Sequence, residues 1–243
     1  MSHTALIDLH SHLLPGIDDG CPTVEESLAC VRSLVEHGFT GTVCTPHMAI
    51  SAFPENTPDN VAGRVRALQD QLNAAGFEYQ LWTGGELRIA DDTLSWLREH
   101  GVPTLGPSRH VLVDYWGSQW PAYADAVIEY LLQEGYHPIL AHPERMDFED
   151  REWDAVLHRL PQSGVSLQGN LKCLAGREGR RVGLRAQRLL SEDRYRLLAT
   201  DMHGTTDLAD RLAGLYVAEQ LVGKAKLREL LAAIPQEILF PTR

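Results

Sequence analysis

The sequence predicts an α/β fold, a barrel of parallel βα units, and three observations carry that reading. Apolar, β-branched runs suited to buried strands recur near residues 5–9, 40–45, 78–83, 109–113, 138–141, 165–168 and 195–199. Segments with helical periodicity separate them, and strands that alternate with helices pair in parallel. At 243 residues the chain suits a barrel of seven or eight strands better than an open sheet, although periodicity alone does not exclude the sheet. No composition shift or Pro/Gly/Ser-rich linker divides the chain, so one domain is expected.

The first strand ends in Ile7-Asp8-Leu9-His10-Ser11-His12, where the period of two sends both imidazoles to the same side. Two such rings on an otherwise apolar strand are awkward to bury without a partner, so His10 and His12 read as metal ligands. Asp18-Asp19-Gly20 follows, either as a self-stabilised Asx turn or with one of its aspartates as a further ligand. Thr23 with Glu26 three residues on reads as a capping box. The helix it opens carries Leu28, Val31, Leu34 and Val35 on one face and stops at Gly38.

The second strand leads into Thr45-Pro46-His47, and the third into Gly84-Gly85-Glu86, where the backbone can turn sharply and aim a carboxylate inward. The fourth, Val111-Leu112-Val113, ends at Asp114. The fifth runs into Ala141-His142-Pro143-Glu144-Arg145, and the seventh into Thr200-Asp201-Met202-His203. Helices fit near 60–75, 91–100, 121–134, 151–160, 183–192 and 207–220, with a last one near 224–233. His10, His12, His47, Glu86, Asp114, His142, Asp201 and His203 therefore all fall at C-terminal ends of strands, where βα barrels carry their active sites. His37, His100 and His158 fall on helices and stay outside the site.

Acidic residues outnumber basic ones 33 to 22, a formal charge of −11, which disfavours nucleic-acid or anionic-membrane binding. Apolar runs are too short to span a bilayer, and Met1-Ser2-His3 leads into a strand without a signal-type segment. A soluble, cytoplasmic protein is expected. Cys21, Cys30, Cys44 and Cys173 show no Cys-x-x-Cys spacing, and none has an Arg six positions on, so the phosphate loop of cysteine-dependent phosphatases is absent. Arg145, three residues beyond His142, is well placed to hold a phosphoryl oxygen. Lys172, Arg177, Arg180 and Arg181 form a local positive segment that either guides an acidic phosphopeptide or is a solvated loop. Trp116, Trp120 and Tyr123 either line the substrate mouth or pack a helix.

Taken together, His-x-His, Thr-Pro-His, the strand-end Glu86, His142 and the terminal Asp-x-His resemble the PHP (polymerase and histidinol phosphatase) metal-dependent phosphoesterases. Within that family, Asp8-Leu9-His10-Ser11-His12, Pro15-Gly16-Ile17-Asp18-Asp19-Gly20 and Glu25-Glu26-Ser27 are similar to the bacterial tyrosine-protein phosphatases of capsule and exopolysaccharide loci. The resemblance implies a distorted (β/α)7-type PHP barrel, with residues 1–243 as a single phosphoesterase domain. It implies a trinuclear centre in which His10, His12, Glu86 and Asp201 hold one ion. Glu86 bridges to a second held by Asp114 and His142, and Asp19, His47 and His203 hold the third.

Three divalent ions, by family expectation Mn2+, would fill these sites; Fe2+ and Zn2+ suit the same mixed donors. The implied reaction is phosphomonoester hydrolysis by a metal-bridging hydroxide, with Arg145 stabilising the phosphoryl oxygens and Asp201 or His203 available as proton donor. The implied partner is a phosphotyrosine protein, namely a bacterial tyrosine kinase of capsular or exopolysaccharide biosynthesis. A small phosphomonoester (histidinol phosphate or a nucleotide), a non-catalytic metal-binding regulator and an amidohydrolase are the competing readings. Two departures from the subtype stand out. Asp114 replaces the usual Glu, and Asp207-Leu208 stand where an Arg usually follows the last His. Arg211, or an Arg of Arg177-Glu178-Gly179-Arg180-Arg181, would have to replace that clamp.

Overall fold

In chain order, a computed structural model, which describes residues 5–48 and 51–241, shows β1 (Leu6–Ser11), α1 (Val24–Glu36), β2 (Phe39–Cys44), β3 (His47–Met48), α2 (Pro58–Ala74), β4 (Gln80–Thr83) and β5 (Glu86–Arg88). There follow α3 (Thr93–His100), β6 (His110–Asp114), α4 (Ala122–Gln133), β7 (His137–Ala141), α5 (Asp150–Gln162), β8 (Ser166–Asn170) and α6 (Leu171–Leu174). The chain closes with α7 (Arg180–Ser191), β9 (Leu197–Ala199), α8 (Leu208–Arg228), a π turn over Glu229–Ala233 and α9 (Ile234–Leu239). Met1-Ser2-His3 lie outside the described residues.

Each of the seven expected strands is present, and every pairing between named strands is parallel, as alternation with helices requires. The expected barrel does not form one continuous ladder. The strands make two sheets, ordered β1-β2-β4 and β3-β5-β6-β7-β8-β9. The changeover falls where β2 passes through Thr45-Pro46 into β3 and β4 passes through Gly84-Gly85 into β5. Pro46 has no N–H to give a ladder, and side chains at the two glycines would collide. A Cβ on Gly84 would lie 2.6 Å from Val43 Cγ1, and one on Gly85 2.4 Å from Met48 Sδ. At the other side β1 meets the segment after β9 through a parallel bridge, Ser11 to Met202. There His12 N–H donates to the Met202 carbonyl at 2.7 Å and Asp201 N–H to the His10 carbonyl at 2.9 Å.

Strand residues such as Leu9, Val43, Val111, Val113, Ile139, Leu140, Leu167 and Leu198 are buried, which is the continuous apolar pattern of strands covered on both faces. Helices seat one face on them: Val61, Val65, Leu68 and Leu72 of α2 recur at helical spacing and are buried. α1 departs from its expected cap. Thr23 Oγ1 accepts from Glu26 N–H at 3.3 Å, yet the Glu26 carboxylate does not turn back. It crosses to the loop before α8 and accepts from Thr205 N–H at 2.7 Å and Thr205 O–H at 2.6 Å. The helices read near 207–220 and 224–233 run on from one another, broken at Gly223, whose φ of 78° only glycine adopts readily. No helix among the described residues is long and apolar enough to cross a membrane.

Candidate metal centre

Imidazoles and carboxylates from the ends of five strand positions meet on one floor. His10 Nε2 lies 3.3 Å from Asp201 Oδ1 and 3.4 Å from Glu86 Oε1. His12 Nε2 lies 3.4 Å from both Glu86 Oε2 and Asp201 Oδ1. Glu86 also reaches His47 Nδ1 at 2.8 Å and His142 Nε2 at 2.9 Å, so one carboxylate touches four imidazoles. His47 Nε2 and His203 Nε2 face Asp19 Oδ1 at 3.3 and 3.5 Å. Three overlapping groups result whose donor atoms lie within 4.8 Å of one another: His10, His12 and Asp201; His10, Glu86 and His142; and His12, Asp19, His47 and His203.

The rings are aimed by partners on their outer nitrogens. His10 Nδ1 is 2.9 Å from Gln168 Oε1, His12 Nδ1 is 2.7 Å from Asp18 Oδ2, and His203 Nδ1 is 2.8 Å from the Asp201 carbonyl oxygen. For His10 and His12 the outer oxygen accepts, so the proton belongs on Nδ1 and the Nε2 lone pair points inward, the usual arrangement of a metal-binding histidine; His203 Nδ1 also meets Arg211 Nη2 at 3.3 Å. Asp201 is treated the same way. Its Oδ2 takes Asn170 Nδ2 at 2.6 Å and Arg145 Nη1 at 3.2 Å, with Arg211 Nη1 at 3.5 Å, which leaves Oδ1 facing the imidazoles. Asp8 ties β1 to the end of β9 by accepting from Thr200 N–H at 3.0 Å and Thr200 O–H at 2.5 Å. Burial nonetheless pushes its carboxyl up to about 6.

The donor set fits divalent cations on two observations. First, Glu86 Oε2 and Asp201 Oδ1 are buried with no well-directed hydrogen bond among the described residues, Oε2 having only the close approach of His47 Nδ1 at 2.8 Å, and this is costly for carboxylate oxygens unless a cation faces them. Burial alone would raise both acids. In the metal-free protein positive charge on the surrounding imidazoles, His10 foremost, instead holds both well below the usual carboxylate range, and a bound cation would supply that charge once the ring lone pairs ligate it. Second, His142 (φ 28°) and Asp201 (φ 51°) occupy the left-handed region. Such backbone costs about 1–3 kcal/mol per residue and collects at functional sites. Mixed imidazole and carboxylate donors suit Mn2+, Fe2+ or Zn2+ better than an all-oxygen site does.

The other expected site residues sit around this floor. Asp114 stands 3.8 Å from His142 Nδ1 and belongs to none of the three tight groups; its Oδ1 accepts from Tyr115 N–H at 2.7 Å and its Oδ2 from the Trp116 indole N–H. Of the Asp18/Asp19 alternatives, Asp18 is the buried prop of His12, while Asp19, 61% exposed at its side chain, faces His47 and His203. Arg145 spans from Asp201 into a cleft of about 630 Å³ above the floor, which Trp116 and Met146 also line.

Arg211 does not replace the missing clamp. It is buried, donating to Asp207 at 3.0 Å and to the Thr200 carbonyl at 3.0 Å. Most of the positive segment is taken up, Lys172 pairing with Glu178 and Asp207, Arg177 with Asp210 and Arg181 with Asp150, while Arg180 is exposed and makes no ion pair among the described residues. Trp120 packs on Tyr115 and donates to Asp125. Sequence reasoning passed over Gln168 and Asn170, and over the supporting role of Glu144, which is buried and accepts from Asn170 N–H and Tyr195 O–H. The available signal was polar residues inside the apolar run 165–170.

A parallel α/β scaffold that gathers strand-end histidines and carboxylates into groups suited to metal ions places the chain among α/β proteins with a metal-binding floor. Its fold is shared with an organophosphorus hydrolase variant from Deinococcus radiodurans, which superposes with a TM-score of 0.57 at 15% identity, over 98% of this chain and 94% of that one. The chain belongs to the family described as capsular polysaccharide synthesis, CpsB/CapC, matched over residues 6–240. It is 28% identical to the tyrosine-protein phosphatase YwqE of Bacillus subtilis, over 90% of this chain and 85% of that protein. It is 27% identical to the tyrosine-protein phosphatase CpsB of Streptococcus agalactiae, over 96% and 98% respectively. A solved structure described with YwqE from Bacillus subtilis and CpsB from Streptococcus pneumoniae, metal-dependent tyrosine phosphatases, gives a TM-score of 0.87 at 27% identity. That match covers 98% of this chain and 96% of that one.

Proposed function

We propose that the protein is a metal-dependent phosphomonoester hydrolase, a single phosphoesterase domain that removes phosphate from phosphotyrosine in proteins. The observation that carries this reading is the floor itself: three donor groups that share His10 and His12, one holding Asp201, one Glu86 and one Asp19, beneath a cleft that Arg145 enters. The ligands proposed are His10, His12, Asp19, His47, Glu86, Asp114, His142, Asp201 and His203, for three ions, Mn2+ first. Ions held there supply Lewis-acid charge and activate water at neutral pH.

The chain's own groups do the rest. Arg145 stays cationic beside Asp201, and its 42% exposed side chain leaves donors free for the phosphoryl oxygens. Asp201, held ionised, keeps its charge on the floor and is a poor proton donor. His203 sets Nδ1 beside the Asp201 carbonyl oxygen and turns Nε2 toward Asp19, where a ring committed to an ion would have no proton to give. A site so short of proton donors favours a leaving group that needs none. Tyrosine phenolate, with a pKa of about 10, is such a group, whereas a serine alkoxide is not.

The family's link to capsular polysaccharide synthesis points to a bacterial tyrosine kinase of that process as the substrate. The test is phosphate release from a phosphotyrosine peptide by metal-stripped protein refilled with Mn2+, with His142→Ala as the blank. Metal-dependent release lost in the variant supports the reading. Faster hydrolysis of histidinol phosphate or a nucleotide would move it to a small-molecule phosphatase.

A further inference from the structure

Trp116 is a large aromatic side chain left 47% exposed, yet its indole is fixed on three sides. The N–H donates to Asp114 Oδ2, the ring meets His47 edge-on with centroids 5.3 Å apart, and the Arg88 guanidinium stacks over one face at 4.3 Å. Trp116 lines the main cleft and Arg88 a separate cavity of about 360 Å³, so the stacked pair stands between the two. One face is occupied by the cation. The indole also lines the cleft, where part of its apolar surface stays exposed.

We propose that Trp116 makes the cleft selective for aryl over alkyl phosphate monoesters, its indole serving as the wall for the phenyl ring. The proposal deepens the phosphatase reading and rests on it. The depth of the wall is the argument. Trp116 contacts His47, whose Nδ1 is 2.8 Å from Glu86, and bonds to Asp114, so the indole begins one residue away from the floor where a phosphoryl group would be held. In an aryl ester the ring follows the ester oxygen directly and lies at that depth. In phosphoserine only a methylene does, and the main chain follows at once. An indole already immobilised loses little freedom when a ring packs on it, which is where preorganised contacts gain their affinity.

Because the indole N–H also supports Asp114, two substitutions separate the roles. Trp116→Phe keeps an aromatic wall and removes the N–H; Trp116→Leu removes both. The experiment measures binding of phenylphosphonate and methylphosphonate to Mn2+-loaded protein by calorimetry, beside kcat/KM for phenyl phosphate and an alkyl phosphate. The wild type binds phenylphosphonate the tighter, Trp116→Phe keeps most of that preference, and Trp116→Leu loses it by three- to tenfold, the size of one aromatic contact. Methylphosphonate affinity changes less than twofold between Phe and Leu. No wild-type preference, a preference intact in Trp116→Leu, or equal weakening of both phosphonates by both variants overturns the proposal. Absence of turnover on either ester, with the phosphonate preference and its loss intact, refutes the phosphatase reading and leaves the wall standing.

Discussion

Asp18 and Asp19 are adjacent in sequence and opposite in role, and replacing each gives opposite signatures. Asp18 Oδ2 accepts from His12 Nδ1 at 2.7 Å and from His47 N–H at 3.0 Å, while Oδ1 accepts from Gly20 N–H at 3.0 Å. Asp18→Ala strands three donors, one of them on a fully buried ring. At about 1–3 kcal/mol for each unsatisfied group, with the loop amides at the low end, the loss is about 3–5 kcal/mol. Asp19 is mostly exposed and meets its imidazoles at 3.3 and 3.5 Å, so Asp19→Ala changes the stability of the metal-free protein by about 0.5 kcal/mol or less.

Metal binding reverses the order of interest. Asp18→Asn, which keeps an acceptor but no charge behind His12, weakens the ions by about 10–100-fold without changing their number. Asp19→Ala lowers the number by one. Urea unfolding of stripped protein followed by circular dichroism, with Mn2+ calorimetry on the same samples, reads both. A stripped Asp18→Ala protein within about 1 kcal/mol of wild type, or an Asp19→Ala protein that loses as much, would refute the division of labour.

A Cβ at Gly214 would lie 2.0 Å from the Leu171 carbonyl oxygen, so Gly214→Ala forces α8 away from α6 and costs about 3 kcal/mol in urea unfolding, with Mn2+ stoichiometry unchanged. Stripping the metal lowers the melting temperature and refilling restores it; each ion present at a hundred times its dissociation constant adds about 2.7 kcal/mol. His110, whose Nδ1 has no hydrogen-bond partner among the described residues, is held down to about 4, by burial first and then by His137 and Arg196. The unfolded chain binds that proton near 6.5 and the native state only near 4, so stability falls as pH drops through this window. For a partly accessible ring the loss is about 1 kcal/mol, and His110→Phe removes that part of the slope between pH 7 and 4.5.

The strands were legible because buried parallel strands are apolar throughout, and the histidines and acids that end them interrupt that pattern at visible points. β3 and β5 were not. They are two and three residues long, and they arise from the sideways shift at Pro46 and at Gly84-Gly85, which only pairing partners reveal. Which of Asp18 and Asp19 points inward depends on a turn whose dihedral angles the dipeptide does not encode. Gln168, Asn170 and Arg211 act on His10 and Asp201 across 158, 31 and 10 residues of chain, so polar residues inside the run 165–170 mark a special strand without naming the residues they support. The Glu26 side chain could satisfy either a capping box or Thr205, and tertiary contact decided it.

The most direct test is a crystal structure of Mn2+-soaked protein with anomalous diffraction at the manganese edge. Three peaks are predicted: beside His10, His12 and Asp201; between Glu86 and His142; and among Asp19, His47 and His203. No peak at the Glu86 and Asp201 oxygens, or manganese bound only elsewhere on the molecule, would contradict the account.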